Sequence, residues 1–140
     1  MAEFHSTVDI QAPPARVWAV LLDVERWPEW TPTVTRVERL DSGPLVLGCR
    51  TRLHQPGLAP AIWQVTELDP DSLIFTWITR ALGIAISGRH VVEPTPAGSR
   101  AALSVRISGL LGPIVTYLMR QRVQSYVAKE AEGLRRRSES

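Results

Sequence analysis

The chain has one cysteine, Cys49, in 140 residues. A lone thiol closes no internal disulfide and supplies no cysteine-rich metal site, and it suits a reducing, cytoplasmic setting. No run of about 20 apolar residues occurs, so no membrane span is expected. The opening MAEFHSTVDI has neither a basic start nor an apolar run, so no signal peptide is expected. Charge of one sign is also scarce: the formal net charge is +2. Such a balance, without exposed aromatic residues between the arginines, argues against a nucleic-acid partner. The short basic run Arg135, Arg136 and Arg137 complements the C-terminal end of a helix dipole.

Several chemistries lack their residues. No GxGxxG or GxxxxGK loop is present to cradle a phosphate, and no cofactor is expected. His5, His54 and His90 are scattered without ligand spacing, and no HExxH occurs, so no metal is expected. GLLGP at 109–113 has no central serine and reads as a helix-start turn. No inward pair of carboxylates emerges from the strand patterns.

What the chain has is tryptophan, five in all, against two phenylalanines and two tyrosines. Two of the five sit in ERWPEWTP, residues 25–32. Pro28 disfavours helical geometry at Trp27, so the preceding helix is expected to stop near Asp23. A separate short helix or turn then carries Trp27 and Trp30.

Around that segment the elements follow from periodicity. EFHSTVDI (3–10) alternates, with Phe4, Ser6, Val8 and Ile10 on one face, and predicts a half-buried strand. In QAPPARVWAVLLD the two prolines suit a first helical turn, and Val17, Trp18, Leu21 and Leu22 repeat at helical spacing. Six more strand candidates follow: TVTRVERL, CRTRLHQ, AIWQVTEL, LIFTWITR, IAISGRHVVE and AALSVRIS. Turn signals SGP, PGLAP, DPDS and PTPAGSR separate them. A long helix is predicted from about Leu110 to Arg137, its stripe running through Leu111, Val115, Leu118 or Met119, Val123, Tyr126 or Val127, Ala131 and Leu134. The fold class is α+β, in one domain over residues 1–140. A largely antiparallel sheet of about seven strands should curl, and only the C-terminal helix is long enough to cover its concave face.

The order β-α-α-β6-α and the opening IQAPPARVWAVLLDVERWPEW resemble the START-like, or Bet v 1-like (SRPBCC), superfamily, and within it the bacterial polyketide cyclase/dehydrase and lipid transport group. The matching features are Ala12 and Pro13 after the first strand, Val17 and Trp18 on the first helix, and Asp23 at its end. Trp30 in the second helix, the segments WQVTELDP and EPTPAGSR, and Gly109 before the last helix complete the likeness. The resemblance implies a helix-grip fold with a cavity between the sheet and the long helix. Trp27 and Trp30 would lie where the short helices meet the end of the grip, with core packing or the rim of the cavity as their two roles.

Strand parity then suggests what faces that cavity. Cys49, Thr51, Leu53 and Gln55 share the inward face of one strand, and Leu73, Phe75 and Trp77 that of another. Ile84, Ile86, Gly88, His90 and Val92 share a third, and Leu103, Val105 and Ile107 a fourth. The expected lining is apolar and aromatic, with Thr51, Gln55, His90 and Tyr117 as sparse polar groups. The candidate ligand-binding residues are Trp27, Trp30, Thr51, Leu53, Phe75, Trp77, Ile86, His90, Tyr117 and Leu118. Three functions are compatible with them. The leading one is a module binding a small hydrophobic molecule, such as a lipid, isoprenoid or polyketide-like compound. The second is a cyclase or dehydratase with His90 as proton acceptor. The third is an interaction domain with a filled interior, presenting Ile74 and Ile78 to a partner.

Overall fold

A computed structural model of the chain describes residues 2–140. Strand β1 (Ala2–Ile10) alternates half-buried and exposed residues and ends on the fully buried Ile10. Pro13 then takes extended geometry at φ −62° and ψ 149°, and helix α1 (Pro14–Leu22) begins at Pro14, where a missing N–H leaves nothing unpaired. Val17, Val20 and Leu21 form its buried face. Asp23 ends it, and a 3₁₀ helix (Val24–Glu29) follows with Pro28 inside. The short i to i+3 form lets the chain turn within six residues and still bury Val24 and Trp27.

Strands β2 (Arg36–Arg39), β3 (Arg50–His54), β4 (Ala61–Asp69), β5 (Ile74–Ala81), β6 (Ile84–Thr95) and β7 (Gly98–Ser108) complete the sheet. Its order is β1-β7-β6-β5-β4-β3-β2, and every pairing is antiparallel. A bulge between Val65 and Glu67 interrupts the β4–β5 register. Such a bulge adds twist and bend, which helps the sheet curl. Two expected boundaries moved. β2 is shorter than TVTRVERL because its first residues are diverted: Thr31 and Thr33 are buried with their hydroxyls 2.8 Å apart, and Val34 is buried beside them. The turn expected across residues 94–100 narrows to Pro96 and Ala97, because the ladder persists to the Thr95–Gly98 pair.

Helix α2 (Gly112–Glu139) crosses the concave face. It is reached through Gly109 at φ +104°, where a side chain would run into the carbonyl oxygen of Gly83. α2 packs chiefly against β1, β7 and α1. Its C-terminal half buries Val127, Ala131, Gly133 and Leu134, whereas between Pro113 and Tyr126 no residue is fully buried. The near half therefore stands off the sheet. Gly133 does not break the helix. Its bare Cα lets the backbone at Trp30 approach, and that contact seats the 3₁₀ helix on α2.

The arginine run at the end of α2 is engaged within the fold. Arg135 pairs with Glu132 and Glu139, Arg136 with Glu132, and Arg137 reaches Glu29 of the 3₁₀ helix at 2.7 Å. The Arg135 guanidinium holds the Glu132 carboxyl down at about 2. Among the described residues, no helix is long and apolar enough to cross a membrane.

Candidate functional site

Because the first half of α2 stands away from β3–β6, a cavity of about 520 Å³ lies between them. From the sheet, alternation brings Leu53, Trp63, Trp77, Ile86 and Val105 to its wall. From α2 come Val115, Met119, Val123 and Val127, each four residues apart and thus on one helical face. The β3–β4 loop closes one side with Leu58, Ala59 and Pro60. Two bonds from α2 hold that loop: Tyr126 donates its hydroxyl to the Pro56 carbonyl, and Arg122 donates to the Gly57 carbonyl at 3.1 Å.

The inner end carries the polar chemistry. His90 is buried on β6, with Nδ1 3.0 Å from the Phe75 carbonyl oxygen and Nε2 2.9 Å from Oε1 of Glu130 on α2. Its ring stacks on Phe75 at 4.9 Å, and Trp27 meets it edge-on at 5.6 Å. Trp27 also packs on Trp77 at 5.2 Å and on Trp30 at 5.4 Å. A carbonyl oxygen only accepts, so Nδ1 carries a proton. The 2.9 Å bond to Glu130 then needs one further proton, on Nε2 or on the carboxyl. An ionised Glu130 facing an unprotonated Nε2 would bring two acceptors together. His90 and Glu130 thus share one proton as a unit, and in the ion-paired form the second carboxylate oxygen of Glu130 is the free acceptor.

Of the residues singled out from sequence, Trp27, Leu53, Trp77, Ile86 and His90 border the cavity, as does Gln55. The other five do not. Phe75 is fully buried behind the wall, under His90 and Trp77. Thr51 is fully buried with its hydroxyl unpartnered, outside the cavity. Trp30 is half-buried and packs on Trp27 and Gly133 instead. Tyr117 and Leu118 point to solvent, 68% and 73% exposed. Their placement corrects the helical phase. The cavity face runs through Val115 and Met119, and at 100° per residue Tyr117 falls on the opposite side. Apolar residues occupy both sides of the first turns of α2, so the stripe alone did not choose between Leu118 and Met119.

Glu130 was missed, and its signal was present. It lies three residues beyond Val127 and four before Leu134, so it is an acid on the apolar stripe of α2. Such a residue needs a buried partner, and His90 is that partner. Trp63 was legible as well, from its alternation with Ala61 and Val65 in β4.

A seven-stranded antiparallel sheet gripping a long C-terminal helix, with two short helices at one end, defines the START-like, or Bet v 1-like, class of α+β proteins. A family model for polyketide cyclase / dehydrase and lipid transport proteins matches residues 1–139, and the chain belongs to that family. Solved structures share the fold at low identity. The Zhui aromatase/cyclase of a Streptomyces species superposes with a TM-score of 0.81 at 20% identity, over 99% of this chain and 93% of that one. A hypothetical protein of Helicobacter pylori gives 0.84 at 16% identity, over 98% and 88%. Ara h 8.0201 gives 0.71 at 13% identity, over 98% and 97%. No curated protein sequence matches the chain.

Proposed function

We propose that the protein binds one small hydrophobic molecule, a lipid, isoprenoid or polyketide-like compound, between the sheet and α2. The observation that carries this reading is a largely apolar cavity of about 520 Å³ whose wall includes the hydrogen-bonded pair of buried His90 and half-buried Glu130. Ligand pockets span roughly 300–1,000 Å³ and combine apolar walls with few orienting groups. A filled interaction domain would lack that space. Apolar surface leaving water contributes roughly 25 cal/mol per Å², and His90–Glu130 would orient one polar end of the ligand. The lone Cys49 suits a cytoplasmic site of action.

Native mass spectrometry of the purified protein should reveal a stoichiometric adduct that organic extraction identifies. The same protein should take up the fluorophore N-phenylnaphthylamine. The variant Ile86→Trp/Val123→Phe fills the cavity from both walls and should lose at least about tenfold in affinity, with its circular dichroism unchanged. Equal uptake by the filled variant would place the ligand elsewhere.

The His90–Glu130 pair also favours a second reading, a cyclase or dehydratase acting on a poly-β-keto chain. The cavity would hold the chain in one geometry, and the pair would take the proton from the carbon between two carbonyls. The free oxygen of Glu130 is the acceptor in this scheme, with His90 holding the carboxylate in place. Glu130→Gln keeps the shape and removes the base. Turnover of a poly-β-keto thioester should fall about 10²–10⁴-fold while binding persists. Undiminished turnover would exclude the pair as the base.

A further inference from the structure

Arg80, Ala81 and Ile84 around the β5–β6 turn and Val115 at the start of α2 border the cavity, and this rim is apolar on its outside. Leu82 at the turn is 97% exposed, and Leu110 in the link to α2 is 95% exposed. Ile114, Tyr117 and Leu118 continue the exposed surface along the first two turns of α2. The turn and the link are fixed to each other, since the Leu111 N–H donates to the Gly83 carbonyl at 2.9 Å. Large apolar side chains this exposed and this close together mark an interaction surface.

Charge indicates the partner. Residues 72–92 and 94–129 contain no aspartate or glutamate. Arg80 lies two residues before Leu82 and Arg120 three after the exposed Tyr117, and neither pairs with a carboxylate among the described residues. Arg120 lies over the Tyr117 ring at 4.5 Å, beside the exposed face. The nearby acid on β1, Glu3, is already bonded to Arg106 at 3.2 Å. We infer that this rim docks on an anionic phospholipid bilayer, with Leu82 and Leu110 entering the acyl boundary and Arg80 and Arg120 at the phosphates. A protein partner would need hollows to match two leucines standing at the tips of separate turns. A fluid bilayer accepts such convex tips without one. Arg80, Ala81 and Ile84 flank Leu82 and also border the cavity, so an apolar molecule could pass from bilayer to cavity without crossing water. That use of the docked state rests on the ligand-binding reading; the docking itself does not.

Co-sedimentation of the full chain with vesicles tests it. The protein should pellet with vesicles of phosphatidylglycerol and phosphatidylcholine, remain in solution with phosphatidylcholine alone, and be released by high salt. Leu82→Ser/Leu110→Ser should weaken binding by about tenfold or more, and Arg80→Gln/Arg120→Gln by a similar factor. The cavity-filled variant Ile86→Trp/Val123→Phe should dock like the wild type, which separates docking from ligand uptake. Docking by a protein that never takes up N-phenylnaphthylamine would support the rim and refute the pocket. No pelleting with anionic vesicles would overturn the inference, as would pelleting indifferent to the two leucines. It would equally fall to a self-association without vesicle binding that Leu82→Ser/Leu110→Ser abolishes, since the rim would then be a protein interface.

Discussion

Trp27→Ala should lower the unfolding free energy by about 3–5 kcal/mol, read as a shift in the urea midpoint by circular dichroism. Trp27 is among the largest fully buried side chains, 2% exposed. Its indole N–H donates to the Leu21 carbonyl at 3.0 Å, a group at the end of α1 with no helical partner further on. Its ring meets Trp30, Trp77 and His90 at 5.4, 5.2 and 5.6 Å. Removing it opens a cavity, leaves a buried acceptor unpaired and loosens His90. Against a typical stability of about 5–15 kcal/mol that is a large fraction. Trp27→Phe keeps most of the ring contact and loses the hydrogen bond, so it should cost less than half as much. If alanine cost under about 1 kcal/mol, Trp27 would be a loosely held rim residue. Phe75 sits deeper still, so a Phe75→Ala/Trp77→Ala variant would report on folding before binding.

Gly133→Ala should destabilise by about 1–3 kcal/mol, opposite in sign to the usual effect. In an open helix interior, alanine in place of glycine gains about 1 kcal/mol. Here the new Cβ would overlap the Trp30 carbonyl oxygen and come within 3.1 Å of the Trp30 ring. That backbone cannot easily retreat. Trp30 N–H and Thr31 N–H both donate to the Trp27 carbonyl, at 3.1 and 3.0 Å. The 3₁₀ helix or the end of α2 must shift instead, and the Arg137–Glu29 bond would stretch with it. Thermal unfolding decides the sign, with Ala128→Gly on the exposed side of α2 as reference. A stabilised Gly133→Ala would mean that the two helices are not locked together there.

Both effects arise from the segment ERWPEWTP, whose two tryptophans have different tasks. Trp27 closes the inner end of the cavity as part of the core. Trp30 presents its backbone and ring to Gly133 and holds the short helix on the long one. Proline spacing separated this segment from α1, but spacing did not divide the two tasks.

The sequence by itself determined the order of elements, the stop of α1 at Asp23 and the inward faces of β3, β5, β6 and β7. Each rests on local physics: a two-residue period in strands, a 3.6-residue period in helices, and proline's missing N–H. It also carried the family likeness, which spans nearly the whole chain. The tertiary structure decided the rest. The phase of α2 at the cavity was set by packing, because apolar residues lie on both sides of its first turns. That choice put Met119 inside and left Tyr117 and Leu118 in solvent. Strand parity brought His90 inward without showing that Glu130, 40 residues later, would meet it. The same parity could not separate Phe75 and Thr51, sealed behind the wall, from Leu53 and Trp77, which form it. Facing the concave side is a property of one strand. Bordering empty space depends on how far the covering helix stands from the sheet, and only the packed chain fixes that distance.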